Sequence, residues 1–193
     1  MEKLNGNKIN TAVFISGRGS NLYSLIKNHK KKNSLFSIQL VISNNPKAKG
    51  LLYAKKSKIK TYIANFKNQN ISEKKILKKL LTNNINLVCL AGFMKILSKN
   101  FIKQFNKPIL NIHPSLLPKY KGLKTHRRVI KNKEKYTGAT VHIVSKKLDS
   151  GKVILKKKIK VLKYDNEISL AKKVLKIEHT LYPQAIKKLL ISL

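Results

Sequence analysis

Residues 9–21, INTAVFISGRGSN, join a short apolar run to a glycine-rich turn, and this stretch decides the fold class. The apolar run at 9–15 is typical of a buried strand. Gly17 and Gly19 permit a tight turn, after which residues 21–31 are predicted to form a helix. A buried strand that turns sharply into a helix is the repeating unit of α/β proteins.

The same alternation continues along the chain. Further strands are predicted at 36–43, 60–64, 87–91 and 109–112, and the helices between them at 48–56, 72–83 and 98–105. Ser72 is a suitable N-cap for the helix that begins there. Strands and helices in this order predict a parallel sheet with right-handed crossovers and helices on both faces.

The pattern changes after residue 112. Two strands are predicted at 139–144 and 152–161, separated by the turn LDSG, and a last helical region at 167–193 contains Pro183, which is expected to break or kink it. We therefore predict a single α/β domain over residues 1–193. Its sheet is Rossmann-like, open and mostly parallel, with helices on both faces and an antiparallel C-terminal portion.

The composition excludes several classes of protein. Hydrophobic residues make up 42% of the 193 residues, which is enough for a core and excludes disorder over most of the chain. The single cysteine, Cys89, excludes a disulfide framework and a cysteine-based zinc site. The start, MEKLNGNK, is not a signal peptide, and the apolar run at 87–94 is far shorter than the roughly 20 residues that span a bilayer. We expect a cytoplasmic protein with no membrane partner.

The net charge of +36 first suggests nucleic acid as a partner. Only three of the 43 basic residues are arginine, the side chain that makes bidentate contacts to phosphate and guanine. The lysines are spread along the whole chain and asparagine is also abundant, which favours a compositional bias over a nucleic-acid role. An anionic substrate would still benefit from the positive field.

Open α/β sheets bind ligands beyond the carboxyl ends of their strands, and three loops there carry polar residues. In the first, SGRGSN at 16–21, the N–H groups at the helix start can hold a phosphate, although the segment lacks the full nucleotide-binding fingerprints. A plain glycine-rich turn, with Ser20 as helix cap, is the alternative interpretation.

The second loop, NIHPSLLP at 111–118, begins with Asn111 and His113 on one side of a strand. An amide donor beside an imidazole can stabilise an oxyanion and move a proton. The third loop, LDSG at 148–151, contains Asp149, and a carboxylate near His113 would favour the imidazolium form. A turn-forming role also suits an Asp before Ser-Gly, and spacing alone leaves open whether the two residues meet. By composition alone, Glu178 is a solvated helix charge.

Six segments, in this order, resemble the phosphoribosylglycinamide formyltransferase family, the folate-dependent GAR transformylases. They are VFISGRGSNL, SNNPKAKGL, LAGFMKILS, ILNIHPSLLPKYKGL, GATVHIVSKKLDSGKVI and EHTLYP, and they run from about residue 12 to 183. The resemblance implies the formyltransferase fold. It also implies transfer of the formyl group of 10-formyltetrahydrofolate to the amine of glycinamide ribonucleotide (GAR) in de novo purine biosynthesis, through a tetrahedral intermediate.

The resemblance implies roles for individual residues. Asn111 and His113 would stabilise the oxyanion, His113 would also donate a proton, and Asp149 would hold and polarise the histidine. The GAR-binding residues would be Gly19, Ser20, Asn21, Leu22 and Glu178. The folate-binding residues would be Met94, Lys95, Ile96, Leu97, Asn111, Ser145, Lys146, Lys147, Leu148 and Asp149. No metal and no specific nucleic acid is implied, and the protein would be a monomer or a homodimer.

The chain departs from the family at a few positions. Arg18 stands where the family often has Asn, Lys121 stands where Pro is common, and the basic residue that meets the folate tail cannot be aligned within 65–75. Methionyl-tRNA formyltransferase and formyltetrahydrofolate deformylase share the Asn/His/Asp centre, but each adds a domain, so the length of 193 residues favours the GAR enzyme. A basic nucleic-acid-binding protein on an α/β scaffold and an inactive paralogue are the remaining alternatives.

Overall fold

A computed structural model describes residues 8–192. Residues 1–7, which belong to the segment predicted not to be a signal peptide, lie outside this range. The chain divides into two compact units, Met1–Ile109 and Leu110–Leu193. The single domain that the sequence predicts is not tested by this division and stays a prediction.

The first unit alternates strands and helices as predicted. Its elements are β1 (Ile9–Ile15), α1 (Ser20–His29), β2 (Phe36–Ser43), α2 (Gly50–Lys56), β3 (Lys60–Ile63), α3 (Gln69–Thr82), β4 (Leu87–Leu90) and α4 (Lys99–Phe105). The strands pair in the order β3-β2-β1-β4, and every pair is parallel. The centre of this sheet is fully buried, since four consecutive residues of β1 are 0% exposed: Ala12, Val13, Phe14 and Ile15.

Two predictions about helix starts in this unit are wrong. The N-cap of α3 is Asn68, whose side chain accepts from the N–H of Ile71, whereas Ser72 is buried in the first turn. The N-cap of α1 is Gly19, which has a positive φ of 75° and no capping side chain, so Ser20 is the first helical residue. A Cβ at position 19 would meet the Cα of Gly50 at 2.4 Å, so close packing against α2 explains the glycine.

The second unit has antiparallel strands and a long helix. It holds β5 (Ile109–His113), which begins at the boundary, α5 (Thr125–Lys131), β6 (Tyr136–Ile143), β7 (Val153–Lys160) and α6 (Glu167–Ile191). β6 pairs antiparallel with both β5 and β7, and α6 packs against β6 and β7. The mostly parallel sheet with an antiparallel C-terminal portion is therefore confirmed.

α6 is the longest helix, and its Pro183 does not break it. Asn166 caps its start in a capping box with Ser169. Tyr182 fixes it to the sheet, because its buried hydroxyl donates to the carbonyl of Leu110 at 3.0 Å. Over residues 8–192, no helix has the length and apolar character needed to cross a bilayer.

Candidate active site

Four polar side chains share one face of the β5–β6 pair. The antiparallel register sets Asn111 opposite His142 and His113 opposite Thr140. Because side chains alternate along a strand, Asn111 and His113 lie on the same face, and so do their two partners. Thr140 also fixes the chain just beyond β5, since its hydroxyl donates to the carbonyl of Ser115 at 2.7 Å and accepts from the N–H of Leu117 at 3.1 Å.

Both ring nitrogens of His113 face oxygen atoms, and the residue is only 6% exposed. Its Nε2 lies 2.9 Å from the carbonyl oxygen of Tyr120, and its Nδ1 lies 3.4 Å from Oδ2 of Asp149. A carbonyl oxygen can only accept, so Nε2 must carry a proton. Nδ1 is therefore the nitrogen that gains or loses a proton, and it faces a carboxylate.

Asp149 is an ionised carboxylate with fixed geometry. The N–H of Gly122 donates to its Oδ2 at 2.9 Å. Burial alone would raise the pKa of Asp149, but the facing His142 imidazole, the Gly122 N–H and the charges on His113 and His142 together lower it to about 2. The ionised Asp149 places a negative charge beside Nδ1 of His113.

His142 belongs to the same cluster, although no pattern in the sequence indicates a role for it. Its Nδ1 lies 3.0 Å from the carbonyl of Ile143 and therefore carries the proton of the neutral ring. Its Nε2 lies 3.3 Å from Nδ2 of Asn111 and 3.6 Å from Oδ1 of Asp149. The neutral ring accepts from Asn111 there, whereas an imidazolium would instead donate toward Asp149. The contact with Asn111 is the shorter of the two, and the contact with Asp149 is the one that helps to lower the pKa of that carboxyl group.

The loop that carries Asp149 is shaped by its backbone. Asp149 itself has a positive φ of 47°. A Cβ at Gly151 would meet the carbonyl oxygen of Ile143 at 1.8 Å, so only glycine allows the chain to close onto the end of β6. Lys121 donates from Nζ to the Ser150 hydroxyl, so the unusual lysine at this position ties the 118–124 segment to the Asp149 loop.

The other residues predicted to bind folate in this unit are Ser145, Lys146, Lys147 and Leu148. They occupy the segment between β6 and β7, and the Ser145 hydroxyl donates to the carbonyl of Lys147 at 3.1 Å. The side chain of Leu148 is 54% exposed. This leaves an apolar group in the solvent next to a buried carboxylate, which suits contact with a partly apolar ligand.

Glu178 lies on α6 and is only 7% exposed. The composition alone predicts a solvated charge there, and that prediction is wrong. A buried carboxylate costs free energy unless charged or polar groups surround it, so its burial agrees with a specific role.

In the first unit, Ser16 ties together the carboxyl ends of three neighbouring strands. Its hydroxyl donates to the Asn44 side chain and accepts from the N–H of Met94 at 2.8 Å, while its own N–H donates to the carbonyl of Gly92 at 3.1 Å. The Asn45 side chain donates to the carbonyl of Ser16 at 3.2 Å. The loops after β1, β2 and β4 therefore lie together, at the edge where parallel sheets bind ligands.

The residues of the first unit that were predicted to bind substrates lie in those loops. Gly19, Asn21 and Leu22 are buried at the start of α1, and Ser20 is partly exposed. In the loop after β4, Leu97 is buried, whereas the side chains of Met94 and Ile96 are 64% and 69% exposed and Lys95 is also exposed. Exposed apolar side chains in a loop at the carboxyl ends of the strands offer a surface that an aromatic ligand can contact.

Residues 9–186 match the formyl transferase family. The chain belongs to the formyl transferase family. Two curated relatives show the range of its members. The trifunctional purine biosynthetic protein adenosine-3 of Gallus gallus is 38% identical over 188 residues, which are 96% of this chain and 19% of that protein. The phosphoribosylglycinamide formyltransferase of Escherichia coli K12 is 39% identical over 181 residues, which are 92% of this chain and 85% of that protein.

Solved structures of the formyl transferase family agree in fold. The phosphoribosylglycinamide formyltransferase from Anaplasma phagocytophilum has a TM-score of 0.89 and 41% identity, covering 94% of this chain and 86% of its own. That from Brucella melitensis has a TM-score of 0.90 and 38% identity, covering 95% and 96%. The chain spans only about a fifth of the length of the trifunctional relatives. The family and the fold that the sequence predicts are confirmed.

Among residues 8–192, no group of three or more His, Cys, Asp or Glu side chains is arranged to hold a metal ion. The cluster in the second unit instead offers amide and imidazole donors beside a carboxylate. Such a set can bind an oxyanion and transfer a proton.

Proposed function

We propose that this protein transfers the formyl group of 10-formyltetrahydrofolate to the amine of glycinamide ribonucleotide, a step of purine biosynthesis. The proposal is supported by membership of the formyl transferase family and by the names of relatives that align over most of this chain. The observation that carries it is the contact between Nδ1 of His113 and Oδ2 of Asp149, 3.4 Å apart. The same proposal includes a cytoplasmic location and action on small molecules, as a monomer or homodimer.

The first chemical step makes a tetrahedral intermediate. The amine nitrogen of GAR attacks the formyl carbon, a C–N bond forms, and the carbonyl electron pair moves to oxygen. Asn111 supplies an amide N–H to this oxyanion, because only one of its two amide hydrogens is directed to His142. His113, protonated at Nδ1, supplies the second donor. Preorganised donors of this kind stabilise the transition state because they need no reorientation.

The second step expels tetrahydrofolate. The bond between the formyl carbon and the folate nitrogen breaks, and that nitrogen takes a proton as it leaves. His113 supplies this proton from Nδ1, since Nε2 stays with the Tyr120 carbonyl. The proton lost by the attacking amine returns the imidazole to its charged form. Asp149, whose carboxyl group is ionised at neutral pH, would keep the ring oriented during the proton transfer.

The substrate contacts are proposed residue by residue. In the first unit, the N–H groups at the start of α1, at Gly19, Ser20, Asn21 and Leu22, would bind the phosphate of GAR. Met94, Lys95, Ile96 and Leu97 would meet the folate. In the second unit, Glu178 would bind the amino end of GAR, and residues 145–149 would line the folate.

A comparison of three formyl acceptors tests this function. Purified protein is mixed with 10-formyltetrahydrofolate and either GAR, initiator tRNA or water alone, and tetrahydrofolate release is followed. We expect rapid release that depends on GAR. Release that is equally fast without GAR would indicate a deformylase, and release that needs tRNA would indicate the tRNA enzyme. Salt-sensitive RNA binding with no formyl transfer to any acceptor would instead favour a nucleic-acid-binding protein.

A further inference from the structure

The segment between β5 and α5 contacts His113 through one backbone group, the carbonyl of Tyr120. The carbonyl of Tyr120 accepts from Nε2 of His113 at 2.9 Å. Tyr120 has a positive φ of 57°, a conformation that bulky side chains rarely adopt. Residues held in such a conformation persist only when their surroundings fix them, and they concentrate at functional sites.

The side chain of Tyr120 is fixed by groups from the end of α5 and the turn after it. Its hydroxyl donates to Oε1 of Glu134 at 2.8 Å and accepts from Nδ2 of Asn132 at 2.9 Å. The guanidinium of Arg128 lies 5.1 Å from the centre of the ring. Arg128 also donates to the carbonyl of Lys121 at 2.7 Å, which holds the next residue of the segment.

Glu134 contacts both Tyr120 and the preceding residue, Lys119. Besides the Tyr120 hydroxyl, its Oε1 accepts from Nζ of Lys119 at 2.9 Å. These hydrogen bonds, from Lys119 first and then from Tyr120, lower the pKa of Glu134, so the carboxylate is charged at neutral pH. Residues 128–134 thus restrain Tyr120 and its two chain neighbours, Lys119 and Lys121.

We propose that Tyr120 and Glu134 are positioning residues that hold the Tyr120 carbonyl against Nε2 of His113 and so keep Nδ1 as the reacting nitrogen. This rests on the proposed function of His113 as oxyanion donor and acid. If the carbonyl moved away, the proton of the neutral ring could move to Nδ1 and the ring could rotate. Either change would misplace the reacting group relative to Asp149.

Tyr120→Phe and Glu134→Ala test the proposal, because the first removes only a hydroxyl and the second removes its acceptor. The imidazole Nε2–H proton of His113 is observed by nitrogen-15 NMR and assigned by its absence in His113→Gln. The wild-type proton should exchange slowly with water, because it is hydrogen-bonded and buried. In both variants it should exchange faster or disappear. The kcat for formyl transfer should fall about 10- to 100-fold, the range that misplacing a reacting group by up to 1 Å costs, while KM changes little.

Glu134→Gln and Tyr136→Phe are the matched controls. The glutamine keeps an oxygen that accepts from Tyr120, so Glu134→Gln should restore part of the lost kcat and of the Nε2–H signal. Tyr136 is a surface tyrosine, 47% exposed, with Nζ of Lys158 lying 4.4 Å from its ring centre. Its phenylalanine variant should match the wild type in both measurements.

The two measurements separate the possible failures. A lost Nε2–H signal with unchanged kcat, or a lower kcat with an unchanged signal, overturns the positioning role. If the wild-type protein transfers no formyl group to GAR, the proposed function fails instead. The NMR signal then still decides whether Tyr120 and Glu134 hold His113: its loss in the variants supports this, and its persistence contradicts it.

Discussion

Nδ1 of His113 lies 3.4 Å from Oδ2 of Asp149, although 35 residues of chain separate the two positions. The contact forms because β5 and β6 pair antiparallel and the loop after β6 closes back over their shared face. The Gly122 N–H, bound to the same carboxylate oxygen, fixes the side chain on its other side. A buried carboxylate and an imidazole in this arrangement can act together in transferring a proton to a reacting group.

Asn111→Ala should lower kcat for formyl transfer by about 10²–10³, the usual cost of removing one oxyanion donor. KM for both substrates should change little, because the donor acts on an oxygen that becomes charged only in the transition state. Steady-state kinetics with GAR and 10-formyltetrahydrofolate measure both values. Asn100→Ala, on an exposed face of α4, is the control and should be indistinguishable from the wild type. A raised KM with unchanged kcat would mean that Asn111 only binds substrate.

Stability toward acid should depend on Asp149. Its pKa is lowered from 3.8 to about 2 in the folded protein. Burial raises this pKa, but the hydrogen bonds and charges of the neighbouring residues lower it by more. A lowered carboxyl pKa stabilises the fold fully above the unfolded value, and this stabilisation is lost as pH falls from 3.8 to about 2. The loss should amount to about 2 kcal/mol.

Denaturant unfolding of the wild type and of Asp149→Asn, measured through this range, tests the acid prediction. The difference between the two free energies of unfolding isolates Asp149 from the other carboxyl groups. That difference should shrink as the pH falls. A difference that stays constant down to pH about 2 would show that the carboxylate gains nothing from its neighbours.

Glu73 should be a stabilising residue of the first unit. It is 4% exposed, and its carboxylate accepts from the Gln69 side chain at 2.9 Å and from both the N–H and the hydroxyl of Ser98. Glu73→Ala would remove the acceptor of the part-buried N–H and hydroxyl of Ser98 and should lower the free energy of unfolding by about 2 kcal/mol. Thermal or denaturant unfolding measures this change. Glu167→Ala, at an exposed position in the first turn of α6, should cost less than about 1 kcal/mol, and an equal loss in the two variants would contradict the prediction.

The elements with strong periodicity are the ones that the sequence predicts best. The strand at 36–43 matches β2, because a continuous apolar run bounded by turn residues has few other ways to be buried. α5 was not predicted. It has only seven residues and starts after Lys124 with no capping side chain, so neither periodicity nor a cap marks it. Its place depends on tertiary packing of the buried Val129.

β6 begins three residues earlier than predicted because Gly138 lies within it. A glycine normally weakens a strand, but a Cβ here would meet the carbonyl oxygen of Lys157 at 1.9 Å. The close approach of β7 therefore requires a glycine at position 138, although a glycine in the sequence argues against a strand. Such long-range contacts leave no local trace in the sequence.

The same limit applies to the candidate site. Asn111 and His113 are recognisable because they alternate on one strand. His142 lies in an apolar strand, and only the register that sets it opposite Asn111 brings it into the cluster. Register between distant strands is a property of the whole fold, so His142 could not be found from the sequence. Asp149 was found, but its contact with His113 required the structure.

A double-mutant cycle on formyl transfer tests the central claim most directly. The value of kcat/KM is measured for the wild type, His113→Ala, Asp149→Asn and the protein carrying both changes, with GAR as acceptor. If the two residues act as one unit, each single variant folds and loses activity, and the double variant is no slower than the slower single variant. Losses that multiply in the double variant, or near-wild-type turnover in either single variant, would contradict the account.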